Sequence, residues 1–344
     1  MTTPSGQISA QDIKNEFGET GEGKVALGSY RVSQTKGELT LAIGDGVPTS
    51  GTISYDNMRN KKLNIVVDYY SGGNITRQDQ GDNTMNAKTR YNDQNDKVHV
   101  IGGLKSKPSN TSGHRVRIHV NKTLGGKKGE QNVCALRTGN WNSSTTLSVD
   151  VGGEGAIHGA GGDGGEGGND LDAGNVGQAG ASALGIDYNG TVVNVASGGL
   201  IKCGFGGGGG GGCGRQSDKN ADRRAGGGGG GGGQGFPGGS GGDRGRANQA
   251  AGSDGTAGDI SEAGEGGGGG NASNQAFGAS GGEGGSQGEA ADSGGSAQHG
   301  AGGGGAQGSA IRKGSGVNWS YGTKNGSVIG DGANGSGESP TGVS

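Results

Sequence analysis

The side chains that could do chemistry are few and scattered. Five histidines are present, His99, His114, His119, His158 and His299. None is paired with a second histidine at the spacing a helical zinc site needs. His119 sits in the alternating stretch Arg115-Val116-Arg117-Ile118-His119-Val120 and reads as a half-buried strand residue. Asp163 and Glu166 stand three apart, so they would share one face of a threefold rod. A paired general acid and base would need such proximity, but a solvated acidic stripe has the same pattern and is the reading adopted. G-x-G-x-x-G matches recur through composition alone, and none lies between a strand and a helix with an acid about 20 residues on. Of the three cysteines, Cys203 and Cys213 bracket the glycine run 206–212. They could bridge, although the odd count argues against a disulfide framework, and buried thiols acting as small hydrophobes are favoured. No catalytic residue, metal ligand or cofactor is assigned, and the chain is read as a non-enzyme.

Recognition chemistry is better represented. Gln216-Ser217-Asp218-Lys219-Asn220-Ala221-Asp222-Arg223-Arg224 is highly charged and follows Arg215. Two further interruptions carry lone aromatics, Phe236 before Pro237, and Phe277 after Asn274. Arginine and aromatic side chains on loops of a rigid scaffold are favoured binding anchors. Arg215, Lys219, Arg223, Arg224, Phe236, Asn274 and Phe277 are therefore the candidate contact residues. Phe205, Phe236 and Phe277 would equally serve as plugs at the ends of a glycine bundle. The net charge of −3 lacks the basic excess of a nucleic-acid binder. No apolar run approaches 18 residues and no secretory signal opens the chain, so synthesis in a cytoplasm without membrane insertion is expected.

The elements that must hold these loops follow from glycine. Of 91 glycines, 19 lie in residues 1–150 and 72 in the remainder, so the chain changes character near Asp150. The second part has too few large apolar side chains for an oily core. From Gly152 it reads GGE GAI HGA GGD GGE GGN, and the threefold spacing resumes at Gly174, Gly235, Gly252 and Gly281. The runs 206–212 and 226–233 fit any frame. Three residues per turn is the period of a polyproline-II-like helix, which has no internal hydrogen bonds and must pair its N–H and C=O groups with neighbours when buried. Collagen shares the period but needs abundant proline, and this chain has 5. A flexible linker has no need of a frame. The interruptions at Asp170–Ala173, Gln216–Ala225, Ala247–Ala251 and Ala272–Phe277 read as turns between antiparallel rods.

The expected fold is all-β plus a bundle of antiparallel polyglycine II helices over 151–310. Ahead of it, residues 63–150 read as a small antiparallel β-sandwich. Its strong strands are Leu63-Asn64-Ile65-Val66-Val67-Asp68-Tyr69-Tyr70, Lys97–Ile101 and Arg115–Val120. A β-hairpin around Asn189-Gly190 is expected within 183–202. Residues 1–62 hold one short helix, with Ser9 and Asp12 as a capping-box pair and Gly18 as the stop. This unit is too small for a core of its own and is read as a docking segment, completed against a partner or the next domain. Ile13, Phe17, Tyr30, Pro48 and Tyr55 are its candidate docking residues. Residues 311–344 form a closing segment.

The glycine rods with loop interruptions, over about 151–310, resemble the adhesins at the tips of long tail fibres in T-even-like bacteriophages. Three N-terminal stretches are similar to the N-terminal segments of many phage virion structural proteins. They are Gln7-Ile8-Ser9-Ala10-Gln11-Asp12-Ile13-Lys14-Asn15-Glu16-Phe17-Gly18, Leu27-Gly28-Ser29-Tyr30 and Gly46-Val47-Pro48-Thr49-Ser50-Gly51-Thr52-Ile53-Ser54. Val317–Gly330 is similar to short closing segments of fibre proteins, and has no counterpart in the tip adhesins. The resemblance implies a virion protein on the tail fibre or tail tip. Its partners would be other phage tail or fibre proteins and a bacterial outer-surface protein or glycan. It would be a trimer, or a monomer on a trimeric fibre. Two rivals remain open: a structural virion protein (fibre, baseplate or capsid decoration) with no receptor role, and a glycine-rod ice binder, against which the charged interruptions count.

Overall fold

A computed structural model describes residues 2–31, 34–36, 39–41, 47–69, 72–101, 104–129, 133–218, 221–272 and 276–330. The chain opens with helix α1 (Ala10–Phe17). Its capping box is formed: Asp12 N–H donates to Ser9 Oγ (3.2 Å) and Ser9 N–H to Asp12 Oδ2 (2.8 Å). Gly18 ends it at φ +101°, where only a glycine is relaxed. Strands β1 (Gln34–Lys36) and β2 (Leu39–Leu41) pair antiparallel.

The rest of the N-terminal half winds into coils whose strands are shared among three sheets. The first coil has β3 (Asn64–Tyr69) and β4 (Ile75–Thr76). Helices α2 (Arg77–Met85) and α3 (Ala87–Asp93) and strand β5 (Val98–Ile101) follow. The second coil has β6 (Arg115–Val120), β7 (Thr123–Gly125) and β8 (Cys134–Arg137). The third has β9 (Thr146–Val151), β10 (Ala156–His158) and β11 (Ser182–Ile186). Strand β12 (Thr191–Val195) and β13 (Leu200–Lys202) begin the fourth.

Each strand pairs in parallel with its equivalent one coil away: β3 with β6, β6 with β9, β9 with β12. Only β5 joins antiparallel, capping that sheet at β3. Alternation serves a single core. Ile65, Val67, Val116, Ile118, Leu147, Val149, Val193 and Val195 point inward and are buried together with Leu124, Leu136, Ile157, Leu184 and Ile201. On the outer face Asp68, His119, Asp150 and Asn194 stand in one cross-strand row. Asn194 Nδ2 donates to Asp150 Oδ1 at 2.6 Å, which ties neighbouring coils together.

This parallel solenoid replaces the antiparallel sandwich expected for 63–150. The sheet also continues past Asp150, because β9 pairs with β12. The hairpin expected around Asn189-Gly190 is a corner instead: β11 pairs with β8, and β12 joins a different sheet. A hydrophobic alternation records which face is apolar, and that face is the same whether the neighbour runs parallel or antiparallel.

Two long excursions leave the solenoid from one corner. After β10 the chain runs out as a glycine rod (159–168) and returns as a second (174–181) to β11. After β13 it makes eight more passes, 204–212, 226–235, 238–245, 252–258, 264–270, 278–285, 290–295 and 300–308. These are rods 1 to 10 in chain order, among the described residues. Strands β14 (Gly214–Asp218) and β15 (Ala221–Ala225) form a hairpin between rods 3 and 4. Strands β16 (Asn271–Ala272) and β17 (Ala276–Phe277) pair between rods 7 and 8. The chain then re-enters the solenoid as β18 (Ile311–Lys313), β19 (Trp319–Lys324) and β20 (Ser327–Ile329), which pair in parallel with β11, β12 and β13.

The rods bond to one another at three-residue steps. Gly162, Gly165 and Gly168 N–H donate to Phe205, Gly208 and Gly211 carbonyls, all at 2.8 Å. Rods consecutive in sequence run antiparallel, while rod 1 runs parallel to rods 3 and 5. The bonds arrange the rods in three layers, 5-1-2, 6-4-3-10 and 7-8-9. Rod 3 bonds to rods 1, 2, 4, 8, 9 and 10, and rod 4 to rods 1, 3, 5, 6, 7 and 8, so both are enclosed. They are the two unbroken glycine runs, because an enclosed rod has no face free for a side chain. Peripheral rods keep glycine only on faces that meet a neighbour.

His158 ends β10 at the junction of solenoid and bundle, in register with Lys202. Burial, reinforced by the Lys202 ammonium, pushes its imidazole down to about 4. An unfolded histidine titrates near 6.5, so on acidification the unfolded state takes up the proton first. Stability is therefore unaffected above that value and falls as pH drops from about 6.5 towards 4, by about 2–3 kcal/mol. Urea unfolding at pH 7 and pH 4.5 should show this loss, and His158→Gln should flatten it. Equal losses in both proteins would remove His158 as the cause.

Candidate functional site

Rods 1 and 3 start at the solenoid, so the outgoing and returning passes define a near end and a far end. At the rise of about 3.1 Å per residue, a ten-residue rod holds the far end on the order of 30 Å away. The four interruptions expected from the sequence all fall there, at 169–173, 214–225, 246–251 and 271–277, joined by a turn at 296–299. The near-end turns, at 234–237, 260–263 and 286–289, are short.

The far-end loops form one platform. Ala225, Ala272 and Ala276 are buried against each other, with Ala250 packed on them. Ala225 also bridges to Ala250, so three loops share one small apolar floor. The β14–β15 hairpin sets Arg215 opposite Arg224 and Gln216 opposite Arg223. Like charges opposite each other are unfavourable. Arg224 is held off by Asp170 of the neighbouring loop at 3.6 Å, and its N–H donates to Asn248 Oδ1 at 3.0 Å. His299 N–H donates to the Cys213 carbonyl, bringing in the last loop. Phe277 is 58% exposed and Leu171 40% exposed on this end. Exposed aromatic and aliphatic groups beside arginines, on a floor fixed by the rods, make a surface suited to macromolecular contact.

The expected contact residues divide. Arg215, Arg223, Arg224 and Phe277 come together on the platform. Lys219 and Asn274 lie outside the described residues. Phe236 stands at the opposite end, against the solenoid: its carbonyl accepts from Gly126 N–H (2.8 Å) and its ring lies over Gly125. Phe205 is buried at the same end with Lys202 5.5 Å from its ring. Both phenylalanines thus lie at the near end, away from the far-end loops. Lone phenylalanines look alike in sequence, and only the number of passes before each decides its end. Leu171, in the break Asp170–Ala173, is a further exposed apolar residue at the far end.

The expected docking residues divide as well. Ile13, Phe17 and Tyr30 are fully buried within this chain's core, with Met58 beside them, so they present no surface to another protein. Glu16 Oε1 accepts from Leu63 N–H at 2.7 Å and lies 3.1 Å from His114 Nδ1, fixing α1 to the solenoid. Of its two expected ways to complete itself, the N-terminal unit takes the one within its own chain. Pro48 is partly exposed and Tyr55 is 39% exposed.

Cys134, Cys203 and Cys213 are buried thiols that form no disulfide, the reading favoured for Cys203 and Cys213. Cys203 and Cys213 sit at opposite ends of rod 3 and cannot meet. Among the described residues no cluster of three or more histidine, cysteine or acidic groups could hold a metal ion. Among the described residues no helix is long and apolar enough to cross a membrane. Asp163 is spent on structure, accepting from Ser240 N–H at 2.6 Å and lying 3.8 Å from Lys128 Nζ.

Residues 84–337 match the profile of the family described as phage tail fibre adhesin Gp38. The chain is also similar to the gp37–gp38 adhesin tip complex of the bacteriophage S16 long tail fiber, known from a crystal structure. The identity is 17% over 82% of this chain and 89% of that one, with a TM-score of 0.38. No curated protein matches. The family match spans most of the chain, including the rods, the far-end loops and the last strands of the solenoid: the chain belongs to the Gp38 family of phage tail fibre adhesins.

Proposed function

We propose that the far-end platform is the surface by which this adhesin recognises a bacterial outer-surface protein or glycan. The observation that carries this is the gathering of Arg215, Arg223, Arg224, Phe277 and Leu171 on loops fixed by a bonded rod lattice. In this reading the rods are polyglycine II helices, a reading supported by their three-residue bonding step. They supply rigidity without a hydrophobic core, so loop sequence can change while the scaffold stays fixed. The solenoid joins the protein to another phage tail fibre protein. It acts without a cofactor and is not an enzyme, in keeping with an adhesin family. Oligomeric state then follows the fibre, one adhesin on a trimeric tip or a trimer of its own.

Purified protein added to host cells before the phage should block adsorption in a saturable way. Unimpeded adsorption at saturating protein would leave the structural virion role as the better account.

A further inference from the structure

A cavity of about 440 Å³ opens at the near end of the bundle, between rods 3, 8, 9 and 10 and beside the turn at 286–289. Phe205 and Gly206 are buried at its floor, while Glu289, Ala290 and Ala306 are exposed at its mouth. Gly206 brings a hydrogen-bond donor to it. Every third amide of rod 3 points along one flank: Cys203 N–H donates to Ile329 O (2.9 Å), Gly209 N–H to Asp292 O (2.9 Å) and Gly212 N–H to Gly295 O (3.0 Å). Gly206 belongs to the same series, and among the described residues no carbonyl accepts from its N–H. A buried amide is expected to have an acceptor, and on this flank the space beside Gly206 is the cavity.

The walls restrict what can occupy it. The Glu289 carboxylate stands at the mouth, and Glu283 and Asp292 line an adjoining cavity of about 380 Å³ that shares Glu289 and Ala290. Lys202, 5.5 Å from the Phe205 ring, does not line the cavity. An anion would therefore be repelled by the acids. A cation would suit the acids but would set a second donor against the Gly206 amide. An apolar molecule would satisfy neither group. What fits is a neutral molecule that both accepts and donates hydrogen bonds and turns C–H surface to the Phe205 ring and the alanine methyls. A pyranose has this combination, since its hydroxyls accept from an amide and donate to a carboxylate while its ring face is apolar. The volume lies in the range of small-molecule sites.

We infer that this cavity is a second binding site, for one neutral sugar ring of a glycan, separate from the far-end platform. Gly206 N–H donates to one ring hydroxyl, the Glu289 carboxylate accepts from another, and Phe205 and Ala290 pack on the C–H face. The rods hold the site on the order of 30 Å from the far-end loops, so the two surfaces share no contact residue. This inference does not depend on what the far end binds.

Amide NMR titration of the full-length protein tests it, with glucose, galactose and N-acetylglucosamine as separate probes and sodium phosphate and methylammonium chloride as charged controls. At least one sugar should shift the Gly206 amide saturably while the far-end amides of Gly214 and Gly278 stay in place, and neither salt should do so. Glu289→Ala should weaken that binding by about tenfold or more. Glu283→Ala, at a residue that lines the adjoining cavity and not this one, should leave it within about twofold. Both side chains are exposed, so the folded rods remain for the comparison. A Gly206 amide that no sugar moves, one that a salt moves instead, or equal losses from the two variants would overturn the inference.

Discussion

Gly231→Ala is expected to abolish the cooperative unfolding of the glycine bundle, or to lower its stability by more than about 3 kcal/mol, while Gly303→Ala is expected to be nearly silent. Gly231 lies in the middle of rod 4 and donates to Gly282 O of rod 8. A Cβ placed on it would stand 1.9 Å from Gly264 O and 2.5 Å from Gly264 C of rod 7. Both are backbone atoms already bound into the lattice, so no flexible side chain can swing away. Overpacking a core usually costs about 1–3 kcal/mol because side chains can shift. Here the rods themselves must part, and the bonds of rod 4 to its neighbours fail together. Gly303 is in the same kind of rod, but a Cβ there meets nothing within 4 Å. Alanine at such a site removes unfolded-state freedom and should be neutral or stabilising by up to about 1 kcal/mol. Calorimetry of the two variants makes the comparison. Similar transitions for both would mean that close rod contact does not hold the bundle, and the bonding pattern would lose its energetic meaning.

Replacing residues 216–224 with glycine and serine is expected to reduce competition for phage adsorption by at least about tenfold while leaving the unfolding temperature unchanged. Strands β14 and β15 lie between rods 3 and 4, and replacing them from 216 to 224 leaves the rod-to-rod bonds intact. This segment carries Arg223 and Arg224, and truncating one well-placed arginine or aromatic anchor commonly costs about 2 kcal/mol or more of binding energy, which exceeds a tenfold loss. Phe277→Ala tests the neighbouring loop of the same platform, and Phe236→Ala is the control at the other end. If the hairpin replacement competes as well as the intact protein, contact is made elsewhere on the platform or the receptor role belongs to another part of the chain. Equal losses from Phe236→Ala and Phe277→Ala would separate binding from the far end altogether.

Much of this protein is settled by local rules. Ser9, Asp12 and Gly18 specify helix α1 because a cap is a contact between residues three apart, and the expected bonds form. The threefold glycine spacing specifies rods bonded at three-residue steps, since only a residue without Cβ lets two backbones meet at hydrogen-bonding distance. The unbroken runs 206–212 and 226–233 even mark which rods are enclosed. The interruptions at 170–173, 216–225, 247–251 and 272–277 specify turns, and all of them fall at one end.

Tertiary structure alone decided the rest. The alternation in β3, β6 and β9 fixes which side chains face inward but carries no information on strand direction, so a parallel solenoid looks like an antiparallel sandwich in sequence. Asn189-Gly190 makes a tight turn in either case, and only the pairing of β11 with β8 and of β12 with β9 shows that it is a corner. Ile13, Phe17 and Tyr30 are apolar in any reading, and whether their partner is another protein or this chain depends on contacts across distant sequence, such as Glu16 with Leu63 and His114. Phe236 and Phe277 acquire different meanings only because the chain turns at the solenoid before one and at the far end before the other. Local spacing fixes conformation because its forces act between near neighbours, while pairing direction and exposure depend on which distant segment arrives to close the contact.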